Sequence, residues 1–130
     1  MPRDAEELVR QAYQAFSKRD FDALVEIADP RIEIHTVTGM IAGRTEPYRG
    51  AEGIKEYLTD VGEMWDEIEL LPTEFHELSD TRLVVFGRVR ARRELAVIDA
   101  PNAWLWEVGE GRIRSARVFG DPQGARELLA

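Results

Sequence analysis

The order of apolar repeats along the chain constrains its fold more than any other feature of the sequence. Up to Trp65, apolar residues recur mainly every three or four positions, which predicts helices. From Ile68 to Phe119 they alternate with polar residues or form short β-branched runs, which predicts strands. Helices followed by a run of strands favour an α+β fold, with the helices on one side of a mostly antiparallel sheet. A doubly wound nucleotide-binding fold would instead alternate helices and strands throughout.

Four helical segments are predicted. The first begins near Asp4, a candidate N-cap with a glutamate three residues later. The second covers residues 21–28 and ends before Pro30, because the residue that precedes a proline avoids the helical region. The third follows Gly50 and carries one apolar stripe at positions 54, 57, 58, 61 and 65. The last is predicted to begin with Asp121 as its cap and Pro122 at its first position.

Strands are predicted at residues 32–37, 68–77, 82–92, 100–108 and 112–119. Pro72 interrupts the second of them, so a bulge or a sheet edge is expected there. Residues 109–111 predict a hairpin turn, and residues 38–49, with Gly39, Gly43 and Pro47 among them, predict a loop. No repeat or linker divides the sequence, so residues 1–130 are expected to form a single domain.

The net charge of −8 and the lack of cysteine narrow the classes of partner. An acidic surface repels phosphate, so we expect no nucleic-acid binding, and we interpret the arginines between positions 88 and 93 as solvated strand residues. Apolar runs such as residues 83–86 are too short to span a membrane, and the N-terminus lacks the apolar core of a signal peptide, so a cytoplasmic location is expected. Because there is no cysteine, and His35 and His76 lie on different predicted strands, we expect no metal site and no cofactor.

Four short segments resemble one known family. Residues 12–24 are similar to its opening helix pair, residues 29–35 to its first strand, and residues 106–119 to its last hairpin. Tyr48 to Ile54 matches the pattern Y-R-G-x-E-G-I that opens its third helix. In this order they identify the chain as resembling the SnoaL-like and ketosteroid-isomerase-like proteins of the NTF2-like superfamily. The resemblance implies a cystatin-like cone, a curved sheet wrapped around three N-terminal helices, with an apolar pocket inside and a homodimer contact on the outer sheet face.

The same resemblance implies three candidate catalytic residues. His35 falls where ketosteroid isomerases carry their general-base aspartate, and a histidine can also accept a proton at neutral pH. Asn102 falls near the protonated aspartate of their oxyanion hole, and its amide can donate a hydrogen bond to an enolate. Tyr13 lies one position from the place of their oxyanion tyrosine, which is Ala12 here. The isomerase triad therefore does not carry over intact, and each residue also has a purely structural interpretation.

Further candidates for the pocket are mainly aromatic. Tyr57, Trp65, Trp104 and Phe119 are predicted to contribute to its wall, whereas Trp106, on the same strand face as Trp104, is assigned to the core. Glu33 shares a strand face with His35, and an ion pair between Glu33 and Arg117 would either tune the pKa of His35 or bind a carboxylate. The alternative is a surface ion pair of little energetic value.

Three hypotheses about function follow. The first is an isomerase or cyclase type of enzyme that moves a proton next to a carbonyl in a small apolar or aromatic substrate. The second is a non-catalytic module that binds such a molecule in the same pocket. The third is a dimeric scaffold that binds a protein partner through the outer sheet face and has a filled interior.

Overall fold

The computed structural model describes residues 5–119 and 121–129, which form helices and one six-stranded sheet. The helices are α1 (Ala5–Ser17), α2 (Phe21–Ile27), α3 (Val37–Ile41), α4 (Gly50–Met64) and α5 (Pro122–Glu127). The strands are β1 (Ala28–His35), β2 (Tyr48–Arg49), β3 (Glu67–Glu77), β4 (Arg82–Arg93), β5 (Ala96–Gly109) and β6 (Arg112–Phe119). The curved sheet has the order β2-β1-β6-β5-β4-β3, with β1 and β6 parallel and every other neighbouring pair antiparallel. The α+β prediction is confirmed.

The predicted ends of helices and strands agree best with the structure where a capping residue or a turn marks them. Asp121 accepts a hydrogen bond from the Gln123 amide, with Pro122 in the first turn of α5 as predicted. Glu110 and Gly111 have φ of 54° and 75°, as the tight turn between β5 and β6 requires. The predicted cap at Asp4 lies outside the described residues.

The predicted loop at residues 38–49 is wrong in part. Thr36 caps a short helix there, α3, by accepting a hydrogen bond of 2.9 Å from the Gly39 amide, and Tyr48 pairs with Ile34 in the short strand β2. Strand β1 begins at Ala28, earlier than predicted, and includes Pro30. Its pairing with β6 is interrupted between Ala28 and Glu33. Proline's missing N–H therefore breaks no regular ladder there. Strand β5 also starts earlier than predicted, at Ala96.

Both of the features predicted at Pro72, a sheet edge and a bulge, are present. Strand β3 is an edge strand, and its pairing with β4 shifts register between Pro72 and Glu74. Gly87 of β4 is the residue paired with Pro72.

The sheet has two differently covered faces. Its inner face packs against α1 and α4 and holds the larger apolar cluster, which includes the fully buried Leu8 and Leu83. Its outer face carries a smaller cluster around Val84, Phe86 and Ala103, on which α5 packs through Ala125. Helix α5 thus occupies part of the outer face. None of the helices described is long and apolar enough to cross a membrane.

Candidate ligand-binding cavity

An apolar cavity of about 190 Å³ lies between α3, α4 and the inner face of the sheet. Its wall includes Val37, Ile41 and Ile98, which are all exposed, so the cavity reaches the protein surface beside α3 and the β4–β5 hairpin. The other residues of its wall come mainly from β3 to β6 and from the segments around α3 and α4: Thr36, Thr38, Tyr57, Trp65, Ile68, Leu70, Val89, Ala91, Ala100, Pro101, Asn102, Trp104, Val118 and Phe119. We call this the outer cavity.

A second cavity, of about 60 Å³, lies deeper between the helices and the sheet, and we call it the inner cavity. Tyr57, Leu70 and Trp104 line both cavities, so the two adjoin across these side chains. The remaining wall of the inner cavity is almost entirely apolar: Ala12, Tyr13, Phe16, Leu24, Ile27, Ala28, Ile32, Ile34, Ile54, Trp106, Ile113 and Ala116.

Among the described residues, neither wall contains a charged side chain. Burial raises the pKa of the Tyr57 hydroxyl well above its usual value, so this group is uncharged at neutral pH. Burial likewise raises the pKa of Tyr13, although the Trp106 indole beside it opposes the rise. A charged ligand group would therefore find no opposite charge in these walls, and its burial would be costly.

Polar groups in the walls are few, and most belong to the outer cavity. At its mouth, the Trp65 indole nitrogen donates a hydrogen bond of 3.1 Å to Thr38 Oγ1. Asn102 is half-buried in the wall of the same cavity. The buried indole N–H of Trp104 has no hydrogen-bond partner in the part of the chain that the structure describes.

Six of the residues predicted for the site lie at these cavities. Asn102, Trp65 and Phe119 line the outer cavity, and Tyr57 and Trp104 line both. Tyr13 lines the inner cavity, and so does Trp106, which the sequence assigned to the core: it is both buried and part of the wall. The ring centroids of Tyr13 and Trp106 are 5.5 Å apart.

The other three predicted residues, Glu33, His35 and Arg117, line neither cavity. Ile32 and Ile34 take the inward positions of β1 and are buried, and alternation along a strand then turns the residues between them to the opposite face. The His35 side chain is 46% exposed, and its Nε2 lies 4.0 Å from Glu33 Oε2. The His35 imidazole therefore lies outside the cavities, where the predicted proton transfer would have to take place.

The expected ion pair between Glu33 and Arg117 does not form among the described residues. Glu33 instead lies 3.3 Å from Arg49, its neighbour on β2, while Arg117 pairs with His35 in the backbone register of β1 and β6. The Glu33 carboxylate and the Arg117 guanidinium both face solvent on the outer side of the sheet, where ion pairs contribute little to stability.

Sequence reasoning missed the part of the wall made by α3 and β4. Thr36, Thr38 and Ile41 fall in the segment predicted as a loop, so nothing marked them as lining residues. Val89 and Ala91 alternate with arginines along β4, and this alternation does identify them as the inward face of the strand.

A polar cluster holds the segment after α3 against α4. Asp60 accepts hydrogen bonds from Arg44 at 2.7 Å and from the Tyr48 hydroxyl at 2.6 Å, and the Arg44 guanidinium lies 4.5 Å from the centre of the Tyr48 ring. The hydrogen bond from Arg44 holds the pKa of Asp60 below its usual value. Burial, helped by the Asp60 carboxylate, raises the pKa of Tyr48 to about 12. These groups stabilise the position of α3, which forms part of the cavity mouth.

No group of three or more side chains able to hold a metal ion comes together within residues 5–119 and 121–129.

Comparison with solved structures shows the same fold in several proteins. TerC, crystallised with polyporic acid, is 26% identical, with a TM-score of 0.78 over 95% of each chain. An NTF2-like protein of unknown function from Burkholderia pseudomallei is 23% identical, with a TM-score of 0.78 over 96% of each chain. Bal32a, from a soil-derived mobile gene cassette, is 24% identical, with a TM-score of 0.74 over 96% of this chain and 95% of that one.

The structural likenesses show the fold, and the sequence shows the family. A search of curated proteins found no significant match. The sequence pattern of the SnoaL-like domain, however, matches residues 9–116, which is most of the chain. The protein therefore belongs to the SnoaL-like domain family.

Proposed function

We propose that this protein binds a small, uncharged and largely apolar molecule in the two adjoining cavities. The observation that carries the proposal is the composition of their walls, which reach the surface beside α3 and whose described residues are mainly aromatic and aliphatic, with no charged side chain. Ligand sites are typically apolar concavities with a few polar groups that fix orientation. Asn102 is such a group here.

The volume of the outer cavity limits the size of the ligand. At about 190 Å³ it exceeds the cavity of about 150 Å³ that is known to bind benzene. It falls short of the roughly 300 Å³ at which sites for drug-sized molecules begin. A substituted aromatic ring or a pair of fused rings, with one end at the mouth, is the ligand size that fits.

Membership of the SnoaL-like family and the likeness to TerC both support a small-molecule role. TerC was crystallised with polyporic acid, so one protein of this fold, 26% identical, has been studied with a small organic ligand. Polyporic acid therefore belongs in any ligand panel for this protein.

The experiment that tests the proposal is a titration read by tryptophan fluorescence and melting temperature. The panel comprises one- and two-ring aromatic ketones and small uncharged terpenoids, with polyporic acid, steroids and fatty acids as larger or acidic compounds that are expected to bind more weakly. A ligand at about 100 times its Kd stabilises the fold by about 2.7 kcal/mol, which raises the Tm by several degrees. No response to any member of the panel would contradict the proposal.

A matched pair of variants shows whether a hit occupies the outer cavity. Ala100 lines that cavity, whereas Ala96, on the same strand, is exposed and outside it. Ala100→Phe fills the cavity and is expected to weaken binding at least tenfold, while Ala96→Phe leaves binding close to that of the wild type. Equal affinities for the two variants would place the ligand elsewhere.

Catalysis by proton transfer is the second candidate function, supported by the family and by Asn102 in the cavity wall. In this version Asn102 or Tyr13 donates a hydrogen bond to the developing enolate and His35 is the base. We rank it below binding, since His35 lies on the outer face of the sheet and, in the part of the chain that the structure describes, no carboxylate or imidazole lines either cavity. Product formed from a bound ligand by the wild type, and lost in a folded His35→Ala variant, would reverse this ranking.

A homodimer through the outer sheet face stays part of the proposal. Because α5 covers the area around Phe86 and Ala103, the dimer contact would use the rest of that face. Sedimentation equilibrium tests it: a monomer at all concentrations up to about 100 times those used in the binding assay would exclude this dimer.

A further inference from the structure

The polar side chains in the wall of the outer cavity differ in whether they are already paired. Thr36 Oγ1 accepts a hydrogen bond of 2.9 Å from the Gly39 amide, and Thr38 Oγ1 accepts one of 3.1 Å from the Trp65 indole nitrogen. Asn102 lines the same cavity, and its side-chain amide makes no hydrogen bond with the described residues. It therefore adds an unpaired amide to a largely apolar wall.

The neighbouring strand explains why this amide is unpaired. Strand β4 places Gly87, which has no side chain, directly opposite Asn102. The next residues of β4 on the same face are Val85 and Val89, and neither has a polar group in its side chain. Strand β4 thus supplies no side-chain partner for the amide.

The Asn102 amide is also open to the cavity. In the part of the chain that the structure describes, the buried side-chain nitrogen and oxygen atoms without a partner are the indole nitrogens of Trp104 and Trp106. Asn102 is only half-buried and is not among them, so its unpaired amide keeps surface that solvent or a ligand reaches. Alternation along β5 turns this side chain to the same face as Ala100 and Trp104, which line the cavity too. A molecule in the outer cavity therefore meets an amide that is free to form hydrogen bonds.

A ligand that fills the cavity displaces water from both halves of this amide. The amide oxygen accepts hydrogen bonds, and the NH2 group donates them. A ligand that pairs with only one half leaves the other without the water it had, and an unpaired polar group in an apolar site costs free energy. The ligand with the lowest cost offers a donor and an acceptor side by side, so that both halves are paired.

We infer that the ligand of the outer cavity is an uncharged molecule that carries a hydrogen-bond donor next to an acceptor, as a lactam does, and that the Asn102 amide pairs with both. The inference rests on the proposed function and narrows its ligand class. It makes Asn102 a residue that determines specificity, because a site built to hydrogen-bond a group discriminates against analogues that lack it. A carboxylic acid is an anion at neutral pH and finds no cation among the described residues of either wall.

Three uncharged probes of the same bicyclic shape separate these properties. 2-Quinolone has an N–H beside its carbonyl, coumarin has a ring oxygen in place of that N–H, and naphthalene has neither group. Naphthalene therefore reports on the apolar walls alone. In an NMR titration, we expect 2-quinolone to bind roughly threefold to tenfold more tightly than coumarin, as one added neutral hydrogen bond gives.

Asn102→Leu keeps the approximate size of the side chain and removes both of its hydrogen-bonding groups. The N–H of 2-quinolone is then buried without an acceptor, so its affinity relative to coumarin is expected to fall roughly tenfold or more. Trp65→Phe is the matched control, since it changes the same wall but removes a nitrogen that already donates to Thr38. The ratio of the two affinities is expected to stay at the wild-type value in that control. The ratio is the readout because it is insensitive to a general loss of packing.

The wild-type protein offers a second measurement, which decides the question if Asn102→Leu does not fold. Asn102 is the only asparagine in the sequence, so labelling asparagine alone with ¹⁵N gives a single side-chain NH2 group. Binding of 2-quinolone is expected to move one of its two proton resonances downfield, because that proton then bonds to the ligand carbonyl. Naphthalene has no acceptor and is expected to move neither of them downfield.

The outcomes separate the inference from the function on which it rests. If Asn102→Leu weakens the binding of 2-quinolone and coumarin by the same factor, the inference is overturned while the proposed function stands. The same holds if naphthalene binds and 2-quinolone does not, or if bound 2-quinolone moves neither NH2 resonance downfield. If none of the three probes binds, both the inference and the proposed function are overturned.

Discussion

Replacing Gly87 with alanine is expected to destabilise the protein through a clash with the backbone of the neighbouring strand. A Cβ atom built at Gly87 would lie 2.9 Å from the Cα of Pro72 and still closer, well inside van der Waals contact, to the carbonyl oxygen of Leu71. These atoms belong to β3 at the point where its pairing with β4 shifts register. A flexible side chain could rotate away, but a backbone carbonyl moves only if the ladder moves with it.

The size of the effect follows from these neighbours. Inserting a methyl group into a packed site costs about 1–3 kcal/mol, and contact with backbone favours the upper half of that range. We therefore expect Gly87→Ala to lose about 2–3 kcal/mol in the free energy of unfolding. For a chain of 130 residues this lowers the Tm by roughly 6–15 °C.

The same substitution at Gly62 is the control. Gly62 is exposed in α4, and a Cβ atom there would meet nothing within 4 Å. Alanine is favoured over glycine in a helix, so Gly62→Ala is expected to raise stability by about 0.5–1 kcal/mol. Urea unfolding followed by circular dichroism measures both variants. A Gly87→Ala variant as stable as Gly62→Ala would refute the argument, because it would mean that β3 does not approach β4 this closely in solution.

Two other predictions concern stability. Leu83 is fully buried between β4 and the helices, so Leu83→Ala is expected to lose about 2–5 kcal/mol in urea unfolding; a loss below 1 kcal/mol would mean that the core is not packed as described. Arg44 lowers the pKa of Asp60, so the stability that this carboxylate contributes is present above its unfolded pKa of about 3.9 and is lost as the pH falls through the lower folded value. Asp60→Asn is therefore expected to be less stable than the wild type at pH 7, by a margin that shrinks as the pH falls below about 3.9; an equal difference at pH 7 and at low pH would contradict the assignment.

Much of the fold could be predicted because local patterns and long-range packing agree. The apolar stripe from Ile54 to Val61 predicts the buried side of α4, and Asp121-Pro122 marks the start of α5. The segment around α3 was missed because its start depends on one side-chain cap at Thr36 and its position on a cluster around Asp60 that is assembled from distant residues. Neither is visible as a repeat in the sequence.

The site was harder to predict than the fold, because it depends on which face each strand turns inward. The resemblance puts His35 at the position of a general base, yet the neighbouring Ile32 and Ile34 are the residues that are buried on the inner face. A shift of one residue along a strand exchanges the two faces, so a resemblance that locates a strand correctly can still misplace a side chain. Alternation along β5 puts Asn102, Trp104 and Trp106 on one face but does not say which way that face points; in the structure it is the face that lines the cavities.

The parallel pairing of β1 with β6 has a consequence for the order in which the molecule assembles. It joins Ala28 to Ile113 and His35 to Arg117, so the inner cavity gains its opposite walls only when segments far apart in sequence meet. Contacts of such high sequence separation carry a large entropic cost before they stabilise the chain, which makes this step slow and late in folding. A ligand binds walls that are complete only after this step. We therefore expect it to slow unfolding and to leave the rate of folding almost unchanged.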